Sequence, residues 1–337
     1  MSDIRYWTQL STEQFPPSSI VAQAHEAERS GFDALNVSDH FQPWWEPGES
    51  GHAWVILGAV AQDTALIRIG SGVTAPIYRH NPAVTAQAFA TLEELAPGRA
   101  FVGIGSGEAL NESPVGMDWP AVGEQVGRME EALEIINRLF DGERFDYEGE
   151  YFQMKGALLH TRPERRPEIY VSAFGPRSAS IAARLADGVW TLADPESAPG
   201  VIDAYRRACE EAGRKPGEII LQAGFSWAED DDAAFEGCRV WKGAQPPEFY
   251  TDDWHDPPAM YRKGEKELSD EEFAKAYIIS SDPEVHAGRI REIETMGASV
   301  ICLQNASGAA PLEALRVYGR EVLPALRGTV ADAMLYS

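Results

Sequence analysis

Short apolar runs alternate with amphipathic stretches along nearly the whole chain. Ile4 to Tyr6 opens a first strand. Ser18 to Ser30 places Ile20, Val21, Ala24 and Ala27 at helical spacing, and Gly31 sits where a helix ends in a left-handed residue. Ala34 to Val37 reads as a strand, Gly51 to Thr64 as a helix and Ile67 to Val73 as a strand. Pro82 to Ala96 is helical, with the proline in the first turn where its missing N–H costs nothing. Ala100 to Gly105 is the next strand and Gly123 to Phe140 a long amphipathic helix.

After Gly142 the rhythm breaks into a small hairpin over 145–152, turning at Glu148-Gly149. It then resumes. Strands over 169–173, 188–192, 219–225 and 300–303 alternate with helices over 176–186, 201–212, 282–296 and 312–326. The stretch from Trp241 to Leu268 carries Pro, Asp, Trp and Tyr without a period, and reads as a lid-like insertion. About eight strand–helix alternations without a composition break point to one domain over 1–337, built on a parallel sheet. At this length a (β/α)8 TIM barrel fits better than a doubly wound sheet. No G-x-G-x-x-G follows the first strand, which argues against a Rossmann dinucleotide site.

Charge adds to this picture. The chain has 53 Asp and Glu against 29 Lys and Arg, a net charge of -24, and only six of the cations are lysines. So acidic a surface repels phosphate backbones and argues against a nucleic-acid partner. It suits concentrated salt, where self-repulsion is screened, so a halophilic source is the expectation; an Arg-preferring genome with an acidic proteome is the alternative. The first fifteen residues lack the basic and apolar regions of a signal peptide, and no run approaches a membrane span. The expectation is a cytoplasmic protein. Cys209, Cys238 and Cys302 are too scattered for a C-x-x-C site, and no metal is expected.

In such a barrel the chemistry lies where strands end. After the second strand comes Ser38-Asp39-His40-Phe41-Gln42-Pro43-Trp44-Trp45. It brings together a carboxylate, an imidazole suited to proton transfer near neutral pH, and indoles that can wall a flat ligand. The same run also fits a surface loop with a capping aspartate. After the third strand, Gly72 permits close backbone approach or a bulge; Arg79 follows, as a ligand-binding cation or a structural ion-pair partner. After the fourth, Gly103, Gly105 and Gly107 let the chain pass close to a bulky ligand, with Glu108 placed for proton exchange. After the fifth, Gly175-Pro176-Arg177-Ser178 opens a helix whose free N–H groups suit a phosphate. Acid–base groups, aromatic walls and a phosphate cradle on one rim suggest redox chemistry on a bound cofactor.

The runs Ser38-Asp39-His40-Phe41-Gln42-Pro43-Trp44, Tyr78-Arg79-His80-Asn81-Pro82-Ala83-Val84, Ala86-Gln87-Ala88-Phe89-Ala90-Thr91 and Gly105-Ser106-Gly107-Glu108-Ala109-Leu110-Asn111-Glu112 resemble the F420-dependent glucose-6-phosphate dehydrogenases. They also resemble the F420-dependent secondary-alcohol dehydrogenases. Both groups belong to the luciferase-like superfamily of (β/α)8 barrels. The resemblance implies coenzyme F420 as cofactor, an alcohol or sugar as substrate and a homodimer. By position it implies His40 as the base, Trp44 packed over the substrate and Glu108 as acid–base partner near the deazaflavin ring. Asp39, Ser106, Gly107 and Asn111 would contact the cofactor, and Gly72-Val73 would form a cis-peptide bulge behind its ring. Gly175, Arg177 and Ser178 would bind its phosphate.

One departure bears on substrate. The sugar-phosphate enzymes hold the phosphate with two lysines and an arginine. The matching places here are Leu192-Ala193-Asp194-Pro195, the surroundings of Tyr250 to Asp253, and Lys275-Ala276-Tyr277, where the lysine is one position off. Lys242, Arg262 or Lys263 could substitute from elsewhere. The Cys302 to Ser307 stretch looks closer to the secondary-alcohol branch. The readings left open are glucose-6-phosphate dehydrogenase proper, an FMN-dependent monooxygenase of the same barrel, a reductase of a pterin-linked one-carbon unit, and a non-catalytic deazaflavin carrier.

Overall fold

A computed structural model describes residues 4–328. Eight parallel strands close into a ring. They are β1 (Arg5–Leu10), β2 (Ala34–Val37), β3 (Arg68–Thr74), β4 (Ala100–Ile104), β7 (Glu168–Ser172), β8 (Gly188–Leu192), β9 (Glu218–Ser226) and β11 (Val300–Asn305). Each pairs in parallel with the next, β8 pairs β9, and β11 returns to β1. The antiparallel hairpin β5 (Phe145–Glu148) and β6 (Gln153–Ala157) stands outside this ring. A short strand, β10 (Tyr277–Ile279), lies beside the last residues of β9, past the end of its pairing with β8.

The enclosing helices are α1 (Pro17–Arg29), α2 (Ala53–Asp63), α3 (Pro82–Leu95), α5 (Val122–Phe140), α6 (Pro176–Leu185), α7 (Ala198–Glu211), α11 (Pro283–Glu294) and α12 (Pro311–Val317). A π-turn over Tyr318–Val322 joins α12 to α13 (Leu323–Arg327). Local chemistry sets their ends. The Asn81 side chain accepts from the Ala83 amide ahead of Pro82, and Asp282 does the same for Glu284 ahead of Pro283. Gly31 ends α1 at φ +81°, a left-handed conformation that side chains disfavour. The helices bury their apolar faces against the outside of the sheet in one continuous core. Inside the ring a second core packs Trp7, Phe101, Tyr170 and Trp190, so the barrel is filled rather than open.

The stretch from 227 to 276 holds α8 (Asp231–Cys238), α9 (Pro257–Glu267) and α10 (Asp270–Ala276), with 3-10 turns between α8 and α9. Part of the span read as aperiodic is therefore helical. α9 buries only Pro257, Met260 and Gly264, too few apolar positions to register as a period. α10 begins with a complete capping box from Ser269 and Glu272. This excursion has its own core, in which Trp44, Trp45 and Leu110 from the barrel loops join Trp241, Phe249 and Met260. Among the described residues, no helix is long and apolar enough to cross a membrane.

Candidate active site at the barrel mouth

Side chains alternate along a strand, so the parity of the inner core identifies what faces the mouth. Trp7 and Trp190 point inward. Continuing the same parity brings Ser11 after β1, Ser38 after β2 and Leu192 at the end of β8 to the rim. Gln304 of β11 joins them, its amide donating to Ser11 Oγ at 3.1 Å.

The centre of this rim is a polar chain. His40 Nε2 lies 3.4 Å from Glu13 Oε1. Glu13 is 1% exposed and is held by hydroxyls from Ser38 and Thr12. On the other side of the imidazole, Asn111 Nδ2 lies 3.3 Å from Nδ1 and donates to Glu108 Oε2 at 3.0 Å. The amide orientation is fixed because Asn111 Oδ1 accepts the Phe41 N–H at 2.8 Å. A donor facing Nδ1 makes that nitrogen the lone-pair side of neutral His40 and puts the proton on Nε2, toward Glu13. Trp44 packs beside His40 with ring centroids 5.3 Å apart, and Tyr250 of the excursion packs on Trp44 at the same distance. Burial, then the negative charges of Glu108 and Glu13, push the Tyr250 phenol well up, so it stays neutral.

Behind this chain lies a buried charge cluster. Asp39 is 4% exposed; Thr74 donates to its Oδ2 at 2.7 Å, with His80 Nε2 at 3.3 Å and Arg79 Nη1 at 3.3 Å from Oδ1. Burial alone would raise its pKa, but His80, Arg79 and Thr74 together hold it well below the usual carboxylate range. Arg79 also faces Glu112, which is fully buried and accepts the Arg79 backbone N–H at 2.8 Å. Burial raises the Glu112 pKa despite that neighbour. Arg79 thus takes the ion-pair alternative of its two sequence readings.

Glycines set the shape of the wall. A Cβ on Gly105 would lie 2.6 Å from Val73 Cγ2, and Gly107 has φ +77°. The Gly72–Val73 peptide is cis, and the β3–β4 register shifts there, between Ser71 and Thr74. Ser106, Gly107 and Glu108 are half-buried along this wall. Farther round, Gly175 caps α6, and nothing lies within 4 Å of the Cβ it lacks. Pro176 has no N–H, so the free first-turn donors are the amides of Arg177 and Ser178. Arg177 is exposed and bonds the Gly123 carbonyl at 3.1 Å.

The structure therefore gathers His40, Trp44, Glu108 and Asn111 into one contact set. It places Asp39 in the charge cluster behind them, and Gly175, Arg177 and Ser178 at a separate helix start on the rim. Sequence reasoning missed Glu13 and Tyr250. The first strand was read only as opening at Ile4 to Tyr6, with no end assigned; it runs to Leu10, and with that end a carboxylate three residues beyond a barrel strand is a readable signal. Tyr250 sits in a 3-10 turn with no period to mark it. Of the substitute cations, Lys242 pairs with Asp270 and Glu265, and Lys263 with Glu248 and Glu267.

Comparison with known proteins gives the family. Residues 1–299 match the family model of the luciferase-like monooxygenases. The chain is 37% identical to the F420-dependent glucose-6-phosphate dehydrogenase of Microbacterium testaceum, over 96% of this chain and 98% of that one. It is 36% identical to the enzyme of the same name from Nakamurella multipartita, over 98% of each. A solved F420-dependent secondary alcohol dehydrogenase, in complex with an F420-acetone adduct, superposes with a TM-score of 0.91 at 31% identity, covering 96% of this chain and 99% of that one. The chain belongs to the luciferase-like family, and both its sequence and its fold are similar throughout to F420-dependent dehydrogenases.

Proposed function

We propose that this protein is an F420-dependent dehydrogenase that removes a hydride from the carbinol carbon of an alcohol or sugar. The observation that carries the reading is the continuous chain Glu13, His40, Asn111 and Glu108 at the barrel mouth. The residues present fit the cofactor. Gly105 and Gly107 let the chain after β4 pack tightly on Val73 and Ala75, which sets the wall a flat ring would lie along, and Gly175 with the amides of Arg177 and Ser178 leaves an open phosphate cradle. When bound, the deazaflavin ring supplies the two-electron acceptor.

The chain's own residues do the rest. His40 takes the hydroxyl proton at Nδ1, giving up its long contact with Asn111. Glu13, against Nε2, stabilises the imidazolium that forms. Trp44 covers the imidazole and Tyr250 backs Trp44, which keeps water from that side and strengthens the charge pairing. Glu108, held by Asn111, is the second proton-exchange group, on the cofactor side. Gly72, Val73, Ser106, Gly107 and Asn111 line the ring side of the cofactor site, with Asp39 supporting it from the charge cluster behind, and Gly175, Arg177 and Ser178 form its phosphate side. Replacing His40 with Ala tests the assignment: turnover should fall by at least about 10²-fold, the usual worth of a general base, while F420 affinity holds. Unchanged turnover would remove His40 from the role.

The excursion over 241–268 acts as a lid on this site, fastened by Trp241 Nε1 to Gln14 Oε1 at 2.9 Å and by Trp119 Nε1 to the Thr251 carbonyl at 3.1 Å. A cytoplasmic homodimer is the further reading. Val55 and Val84, exposed on helices α2 and α3 that carry few charges, support self-association in a chain otherwise so acidic. A monomer by light scattering at working concentration would remove that part.

A further inference from the structure

We propose that Leu192 sets the substrate class of this site, by presenting hydrocarbon where the far end of a bound alcohol must lie. The inference rests on the dehydrogenase reading above and narrows it to alcohols flanked by hydrocarbon, without a phosphate or other anionic group.

The topology supplies the first step. In the ring β1-β2-β3-β4-β7-β8-β9-β11, β8 stands four strands from β2 in both directions, so the end of β8 faces the end of β2 across the barrel. His40 follows β2 and Leu192 ends β8. Leu192 shares the inward parity of Trp190, whose ring packs in the barrel core and whose Nε1 bonds Gln222. Yet Leu192 is 43% exposed. It therefore lines the mouth rather than the core, a large apolar side chain opposite the base.

Its surroundings extend the same chemistry. Phe174, just past β7, is 60% exposed and approaches Tyr250 with ring centroids 6.2 Å apart. Tyr250 spans from there to Trp44. Its hydroxyl is already committed to the Ala244 carbonyl at 2.9 Å, so it offers its ring. Trp44, Tyr250 and Phe174 are thus linked by ring contacts, and Leu192 adds a further apolar side chain to the same rim, a lining that fits a substrate flanked by hydrocarbon.

The charges point the same way. Glu13 and Glu108 lie at the mouth. The nearby cations are spent: Arg79 on Asp39 and Glu112, Lys242 on Asp270 and Glu265, Lys263 on Glu248 and Glu267, Lys275 on Glu271. Arg262 is exposed on α9, two positions from the buried Met260 and so on the opposite face of the helix. Arg177, exposed on the same rim, stands at the cofactor-phosphate cradle and bonds the Gly123 carbonyl, so a dianionic phosphate entering beside Leu192 would meet carboxylates and hydrocarbon.

The test compares kcat/KM for 2-propanol, cyclohexanol, glucose and glucose 6-phosphate, using F420 bleaching, in the wild type and in Leu192→Ala and Leu192→Lys. F420 affinity is measured separately by fluorescence quenching. The wild type should prefer cyclohexanol over glucose 6-phosphate by at least about 100-fold. Leu192→Ala should lower kcat/KM for cyclohexanol about tenfold, within the range of one to a few methylenes in a pocket, and change 2-propanol less than threefold. Leu192→Lys should shift the ratio toward glucose 6-phosphate by at least tenfold, with F420 affinity unchanged in both variants. Efficient wild-type turnover of glucose 6-phosphate, or Leu192 variants with normal F420 affinity and an unaltered substrate ratio, would overturn the proposal. A wild type that does not bind F420 at all would instead overturn the dehydrogenase reading, and this inference with it.

Discussion

Replacing Glu13 with Gln isolates one term of the chemistry. The substitution keeps an oxygen able to accept from His40 Nε2 and removes only the charge. The carboxylate lies 3.4 Å from that nitrogen and is almost fully buried. At an effective dielectric of about 20, two unit charges at this separation attract by about 5 kcal/mol. His40 retains some solvent contact, with 12% of its side chain exposed. Doubling the effective dielectric on that account leaves about 2.5 kcal/mol. That attraction exists only once His40 has taken the proton, so its loss raises the barrier and leaves substrate binding nearly alone. The expected result is a drop in kcat of about 50- to 100-fold with KM nearly constant. Steady-state bleaching of F420 reads it, with fluorescence quenching as a control that cofactor affinity stays within threefold. A kcat within threefold of wild type would refute the pairing of Glu13 with His40 in the reaction.

Other consequences follow from the surrounding structure. Arg79→Met leaves Asp39 and Glu112 buried without their shared cation, and should cost about 3–5 kcal/mol in urea unfolding at neutral pH; a loss under 1 kcal/mol would mean the cluster is solvated. Gly107→Ala forces a side chain into a left-handed conformation at φ +77°, with its Cβ 3.1 Å from Ala75 Cβ. It should destabilise by about 1–2 kcal/mol and weaken F420 binding, and equal affinity would separate this wall from the cofactor. His286 is buried between Tyr318 Oη and the Ser280 carbonyl, and burial lowers its pKa. Since the unfolded chain then binds the extra proton, this contribution is complete above about pH 6.5 and is lost as pH falls below it. Urea melts from pH 8 to 5 should show that loss, reduced in His286→Gln. With a net charge of -24, the melting temperature should rise with KCl toward molar concentration; no gain would remove the halophilic reading.

The barrel was legible because most of its units carry two coincident signals. Around α3, for instance, Asn81-Pro82 marks the start and the apolar run of β4 follows at once. Where one signal was missing, the reading slipped. β1 was given an opening but no end, because Thr8 and Gln9, though buried, are polar and interrupt the apolar run; Gln9 shares the inward parity of Trp7, whereas Thr8 points to the other face and donates to the Leu303 carbonyl. Without that end, Glu13 had no place on the rim. In the excursion, α9 packs through a proline, a methionine and a glycine, and β10 is only three residues long, so neither produces a period. The Ser269–Glu272 capping box was readable and would have marked α10. His40, Glu108 and Asn111 were identified by type and place, but the sequence is silent on which of them touch. Only the fold brings Asn111 between the other two, with its orientation fixed by the Phe41 amide.

The most direct test of the central claim is an optical titration. The purified protein, in molar KCl, is mixed with oxidised F420 and separately with FMN, and each mixture is then given a panel of secondary alcohols, sugars and sugar phosphates. Tight binding of F420 and its bleaching by an alcohol are expected, with little affinity for FMN. Binding of FMN and not F420 would contradict the dehydrogenase assignment, and with it the roles given to His40, Glu13 and Glu108.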